Sequence, residues 1–163
     1  MPLTPFHWGI AFLGLIFRKS AYIPALLISS VLIDLEPFYY LFIAKGSPIL
    51  HGFFHTYLGA TLVAMVVAFL LVKIRKQTDG LMANLKVPQS DVPNRRIYLS
   101  TLFAAYSHIF LDSFLYKDMQ PYWPLTIANP FLGIVNGDVV YLAAGLGLMA
   151  TTVAYGVILL KRK

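Results

Sequence analysis

Cysteine is absent from the 163 residues, so no disulfide framework and no thiolate metal site is available, and any metal must be held by nitrogen and oxygen ligands. Charge is scarce as well: Asp, Glu, Lys and Arg make up 12% of the chain, against roughly a quarter in an average soluble domain. Apolar residues fill the space, at 58% hydrophobic and a mean hydropathy of +0.71. Apolar runs cover residues 6–17, 21–44, 48–72, 97–116 and 139–160, where a helix needs about 20 residues to cross about 30 Å of hydrocarbon. This patterning predicts an all-α fold: one integral membrane domain over residues 1–163. It is a polytopic bundle of about four to five helices. The first run, about 18 Å long as a helix, is too short to cross unaided and is predicted to be a half-depth helix. No basic segment precedes it and no small-residue cleavage site follows, so no removable signal peptide is expected.

The net charge of +6 sits at the ends of apolar runs, where it orients helices and leaves no soluble basic face for nucleic acid. Lys73, Arg75, Lys76, Lys86, Arg95 and Arg96 crowd the loop 73–96, and Lys161, Arg162 and Lys163 close the chain. Both are predicted to be cytoplasmic, with the turn at Arg18 and Lys19, and the expected location is an inner or plasma membrane. Pro37 is expected to end or kink the second helix, and residues 38–45 to lie at the interface. Residues 117–138, with adjacent Tyr122 and Trp123, read as an outer loop resting on headgroups. In it Asp118, beside Lys117, reads as a solvated charge, and Asp138 as an N-cap.

Ionisable groups inside or at the edge of the apolar runs are few: His7, Asp34, Glu36, His51, His55, His108 and Asp112. They include every histidine of the chain. Counted from the basic ends, His7, Asp34, His55 and Asp112 lie 11, 15, 18 and 16 residues along their elements. At 1.5 Å per residue these are depths of about 16–27 Å, all in the outer half of the bilayer. A carboxylate near the bilayer centre costs at least about 2.5 kcal/mol, which makes intramembrane ionisable groups functional candidates. His51 and His55, like His108 and Asp112, have the four-residue spacing that puts two side chains on one helix face. Thr4 with Pro5 and Ser47 with Pro48 read as helix starts, which places His7 and His51 near first turns. There the helix dipole favours the neutral, metal-binding imidazole and could hold an anionic group. Imidazole and carboxylate together suit Zn, Mn or Fe(II).

The motifs "TPFH", "LIDLEP", "HGFFHT" and "YSHIFLDS", in this order over residues 1 to about 125, resemble the YdjM-like family of membrane-bound metal-dependent hydrolases, sometimes labelled LexA-binding. The resemblance implies a metal site made of His7, Asp34, His51, His55, His108 and Asp112. Two departures stand out: the family often has Asp where this chain has Glu36, and Arg after the first histidine of the third motif, where this chain has Gly52. The order of His and Asp motifs is also similar to that of zinc-dependent phospholipase C.

The expected function is therefore hydrolysis by one to three divalent metals, most simply zinc, acting on a phospholipid or lipid-linked phosphoester at the outer face. Asp34 and Asp112 are expected as ligands, and Glu36 and Asp34 as the catalytic carboxylates, with Glu36 the general base. The rival is a metal-ion or proton transporter using the same side chains, although Ser29, Ser30, Ser100 and Thr101 are nearly all the polarity of the inner halves. A bis-histidine haem protein and a purely partner-binding membrane protein are further alternatives.

Overall fold

The computed structural model describes residues 5–17, 20–45 and 49–161. The predicted caps Thr4 and Ser47, with Pro48, the basic turn of Arg18 and Lys19, and the tail residues Arg162 and Lys163 lie outside the described residues. Among those described, every regular element is helical. A 3-10 turn, Pro5–Ile10, leads into α1 (Ala11–Ile16), followed by α2 (Ile23–Leu32) and α3 (Leu35–Phe42). A second 3-10 turn, Phe53–His55, precedes α4 (Tyr57–Lys73), α5 (Arg75–Asn84), α6 (Asn94–Ser113) and α7 (Gly137–Leu160).

α2 opens on an extended Tyr22 with Pro24 in its first turn, where the absent N–H has no intrahelical acceptor to lose. With α3 it forms a 20-residue apolar rod, Ile23–Phe42, interrupted at Ile33 and Asp34. The interruption expected at Pro37 thus falls three residues earlier. Pro37 sits in the first turn of α3, and the ladder resumes beyond it with Phe38 N donating to Asp34 O at 3.1 Å.

α4 starts at Tyr57, later than the predicted run from residue 48, because Thr56 caps it by accepting from Gly59 N at 2.9 Å. It bends by 79° into α5, so the predicted loop 73–96 contains a helix. That segment is fastened: Arg75 donates to Asp79 Oδ2 at 3.1 Å, Asn94 Oδ1 at 2.5 Å and Ser90 O at 2.9 Å, while Gln89 Oε1 accepts from Ile23 N at 2.8 Å. At α7 the cap is Asn136, whose side chain accepts from Asp138 N at 2.9 Å. Asp138, predicted as the cap, is a first-turn acid favoured by the helix dipole.

α6 packs against both α2 and α4. Ala60, Ala64 and Ala68 recur every fourth residue along α4 and are fully buried, the first two in one cluster with Ala105 and Ile109 of α6. Leu62, Met65, Val66 and Phe69 of the same helix face outward. Small residues inside and large apolar ones outside suit a lipid solvent, in which close backbone approach holds helices together. By length and composition Ile23–Phe42 and Gly137–Leu160 can each cross a membrane, and α4 with α5 adds a third if the bent pair is one span. α7 packs on the N-terminal turn and α1. The contact is backbone on backbone: a Cβ at Gly9 would stand 2.9 Å from Leu148 N and 3.0 Å from Ala144 O.

Candidate metal centre

The α2–α3 break places Asp34 where the backbone leaves its ladder, and the second 3-10 turn ends on His55. His108 and Asp112 come from successive turns of α6, and His7 from the N-terminal turn. One ligand atom from each of Asp34, His55, His108 and Asp112 lies within 4.8 Å of the others, and all four residues are buried. His108 Nε2 is 3.5 Å from Asp34 Oδ1 and 3.4 Å from Asp112 Oδ2, and His55 Nε2 is 4.0 Å from Asp34 Oδ1. His7 joins at the edge, its Nε2 3.4 Å from Asp112 Oδ1 and its ring stacked 4.0 Å from that of His108. These separations exceed an N–H···O bond of about 2.7–3.2 Å. Those of 3.4–3.5 Å match the spacing of two donors on one ion, since bonds of about 2.0–2.2 Å at tetrahedral angles put ligand atoms about 3.3–3.6 Å apart, while the 4.0 Å from His55 to Asp34 is wider.

The far side of each central ring is tied down. His108 Nδ1 donates to Ser30 O at 2.7 Å, because a carbonyl can only accept, so in the neutral ring Nε2 carries the lone pair that a metal would use. His55 Nδ1 lies 2.8 Å from Glu36 Oε2, a carboxylate already accepting from Gly52 N, Phe54 N and His55 N at 3.1 Å each. Its Nδ1 must also donate. Anchoring of Nδ1 by a carbonyl or carboxylate is the arrangement that orients metal-binding histidines. His55 Nε2, His108 Nε2 and Asp34 Oδ2 are left buried with no hydrogen-bond partner. The His/Asp cluster could hold a metal ion.

His51 and His55 do not share a helix face, because Gly52 and the 3-10 turn separate them before α4 begins. His51 stands beside the cluster, its ring edge-on to His55 at 4.8 Å and stacked on Tyr116 at 4.2 Å. Glu36, expected as general base, has both oxygens engaged on the turn and the outer side of His55. The start of α4 has little left for an anion: Tyr57 N donates to Pro121 O at 2.8 Å and Gly59 N to Thr56.

Sequence reasoning missed Asp118. It is no solvated charge: Oδ2 accepts from Leu50 N at 2.9 Å and His51 N at 3.0 Å, and Oδ1 lies 2.9 Å from His51 Nδ1. Partial burial raises its pKa, but the N–H groups of His51 and Leu50 and the His51 ring outweigh this and hold its carboxyl below the usual aspartate range. No pattern around Lys117 and Asp118 signals this, since the partner lies 67 residues away.

A family model described as YdjM inner membrane protein matches residues 3–162. The chain belongs to the YdjM family. No curated protein and no solved structure matches it. The YdjM match runs past residue 125, where the motif resemblance stopped, and takes in α7. The two departures noted in the sequence meet in this YdjM structure, since a Cβ at Gly52 would stand 2.7 Å from Glu36 Oε1. The longer acid and the missing side chain fit each other.

Proposed function

We propose that this YdjM protein is a membrane-embedded, divalent-metal-dependent hydrolase that cleaves a phosphoester in a phospholipid or lipid-linked substrate, with zinc the first choice of metal and Mn or Fe(II) next. The observation that carries it is the trio of buried, unpartnered atoms, Asp34 Oδ2, His55 Nε2 and His108 Nε2, gathered from three elements. Each such atom costs about 1–3 kcal/mol if left unpaired, so the cluster calls for an occupant. A divalent ion there would polarise a phosphoryl oxygen and lower the pKa of water toward about 7.

The chain's own groups divide the remaining work. Asp34 faces both imidazoles with Oδ1, which leaves Oδ2 to take a proton from the attacking water. As the water oxygen bonds to phosphorus and the ester P–O bond breaks, that proton passes to the leaving alcohol oxygen. Asp112 directs one oxygen to His7 and the other to His108, so it would help those two imidazoles to hold the ion. Glu36 acts as a positioning residue for His55. α4 runs from the His55 end to Lys73, and Lys161 follows the end of α7, so the positive-inside rule favours a site toward the outer leaflet.

Transport is less well supported, because the inner hydroxyls are mostly committed. Ser100 Oγ accepts from Tyr22 N at 2.9 Å, Thr101 donates to Tyr98 O at 2.8 Å and Ser30 to Leu27 O at 3.2 Å, with only Ser29 Oγ of these four unpartnered. Leu26, Ala104 and Ala105 of the same helices are buried too. In the deciding experiment, purified protein should carry at least about one equivalent of divalent metal, lost in His108→Ala and Asp112→Ala. It should also release phosphate or headgroup from lipid extracts in detergent until a chelator is added. Metal content unchanged by both substitutions refutes the ligand set. Metal-dependent uptake into liposomes without hydrolysis would favour the transporter.

A further inference from the structure

A groove of about 630 Å³ lies between α3 and α4, within the size range of about 300–1,000 Å³ for small-molecule sites. Its α4 wall runs from Leu62 to Leu70, eight residues or about 12 Å along the helix axis. Val66, more than half exposed, stands at the middle of that wall. The other end is different in kind. Glu36 and Tyr40 line it: Glu36 accepts from Phe54 N, and the Tyr40 hydroxyl lies 3.3 Å from where a Cβ on Gly52 would be.

The groove and the metal cluster share a wall. Ile33 and Phe54 line the groove while their chain neighbours Asp34 and His55 hold ligand atoms, and Glu36 lines the groove while bonding the His55 ring. One end is thus polar and one residue from the site, and the other is aliphatic and runs parallel to α4 into the bilayer. An amphiphile matches that gradient, as a soluble phosphate or a headgroup without a chain does not.

We infer that the groove binds one acyl chain of the substrate, so that the substrate of the site is a membrane phospholipid held with its phosphate at the His/Asp cluster and a chain along Leu62–Leu70. This rests on the hydrolase reading for its chemistry but is tested by binding. The probe is a diacyl phosphatidylglycerol with a photoactivatable diazirine in mid-chain, in nanodiscs of phosphatidylethanolamine and phosphatidylglycerol containing the full chain. Adducts should concentrate on residues 62–70 relative to the lipid-facing Met149 and Val153 of α7, both more than half exposed. Val66→Trp should cut groove labelling by about tenfold, the loss expected when about two methylenes lose their burial. Met149→Trp should not, and metal content should be unchanged in both variants.

Labelling spread equally over α7 and the groove, or equal effects of the two tryptophans, overturns the inference. Failure of the hydrolase reading looks different: groove labelling persists and no phosphate is released. If only the groove is wrong, phosphate release survives Val66→Trp and is as fast from a chainless, water-soluble headgroup ester as from the diacyl lipid.

Discussion

Replacing Glu36 by Gln separates two roles that one carboxylate could play. Its Oε2 accepts from Gly52 N, His55 N and His55 Nδ1, and its Oε1 from Phe54 N. Glutamine offers one oxygen and one amide nitrogen. In the better orientation its oxygen keeps the three bonds on the Oε2 side and its NH₂ faces Phe54 N, leaving two donors opposed in a buried site, at a cost of about 1–3 kcal/mol. The three retained bonds also pass from charged to neutral acceptor, each weaker by roughly 1 kcal/mol. The fold should lose about 2–5 kcal/mol, discounting for relaxation of the turn. The loosened His55 ring should lower metal affinity by about 10–100-fold, as loss of an outer-shell carboxylate does. Chelator-competition titration of purified protein measures the affinity, and thermal unfolding with and without metal measures the fold. A general base predicts the opposite pattern, with metal affinity intact and turnover abolished. Wild-type affinity in Glu36→Gln would refute the positioning role.

Gly52→Ala should act on the same carboxylate from the other side. Its Cβ would stand 2.7 Å from Glu36 Oε1, and the resulting displacement should cost about 1–3 kcal/mol and weaken metal binding, read by the same titration. The clamp from Asp118 to residues 50 and 51 should depend on pH. Because the folded-state pKa lies below the ordinary value of about 3.9, its stabilisation is present above that value and is lost as pH falls through the folded one. Thermal midpoints between pH 3 and pH 7 should show Asp118→Asn lowering stability at neutral pH and flattening the acid limb. A limb unchanged by the substitution would place the titration elsewhere.

The helical membrane fold was readable because hydrophobic run length and scarcity of charge are summed properties that no single contact can overturn. Asp34, His55, His108 and Asp112 stood out for a related reason: ionisable groups in apolar runs are too costly to be incidental. The local geometry around His51 was not readable. Its four-residue spacing to His55 imitates a helix face, and what breaks the helix is an acceptor, Glu36, sixteen residues back from Gly52. Asp118 was hidden for the same reason, since adjacency to Lys117 describes a solvated charge until the chain folds it onto His51. The rigid turn within 73–96 depends on Arg75 reaching Ser90, Val92 and Asn94, which composition alone reports as a basic loop.

The turn bearing His7 leans on α7, with Thr151 donating to Gly9 O at 3.2 Å and Gly9 lying against the α7 backbone. During synthesis α7 emerges after every other described element. The ring of His7 therefore waits without its buttress while the rest of the cluster can already assemble. Of the cluster, His7 is thus the member whose turn is seated by the closing helix, and loosening that helix should free His7 before the others.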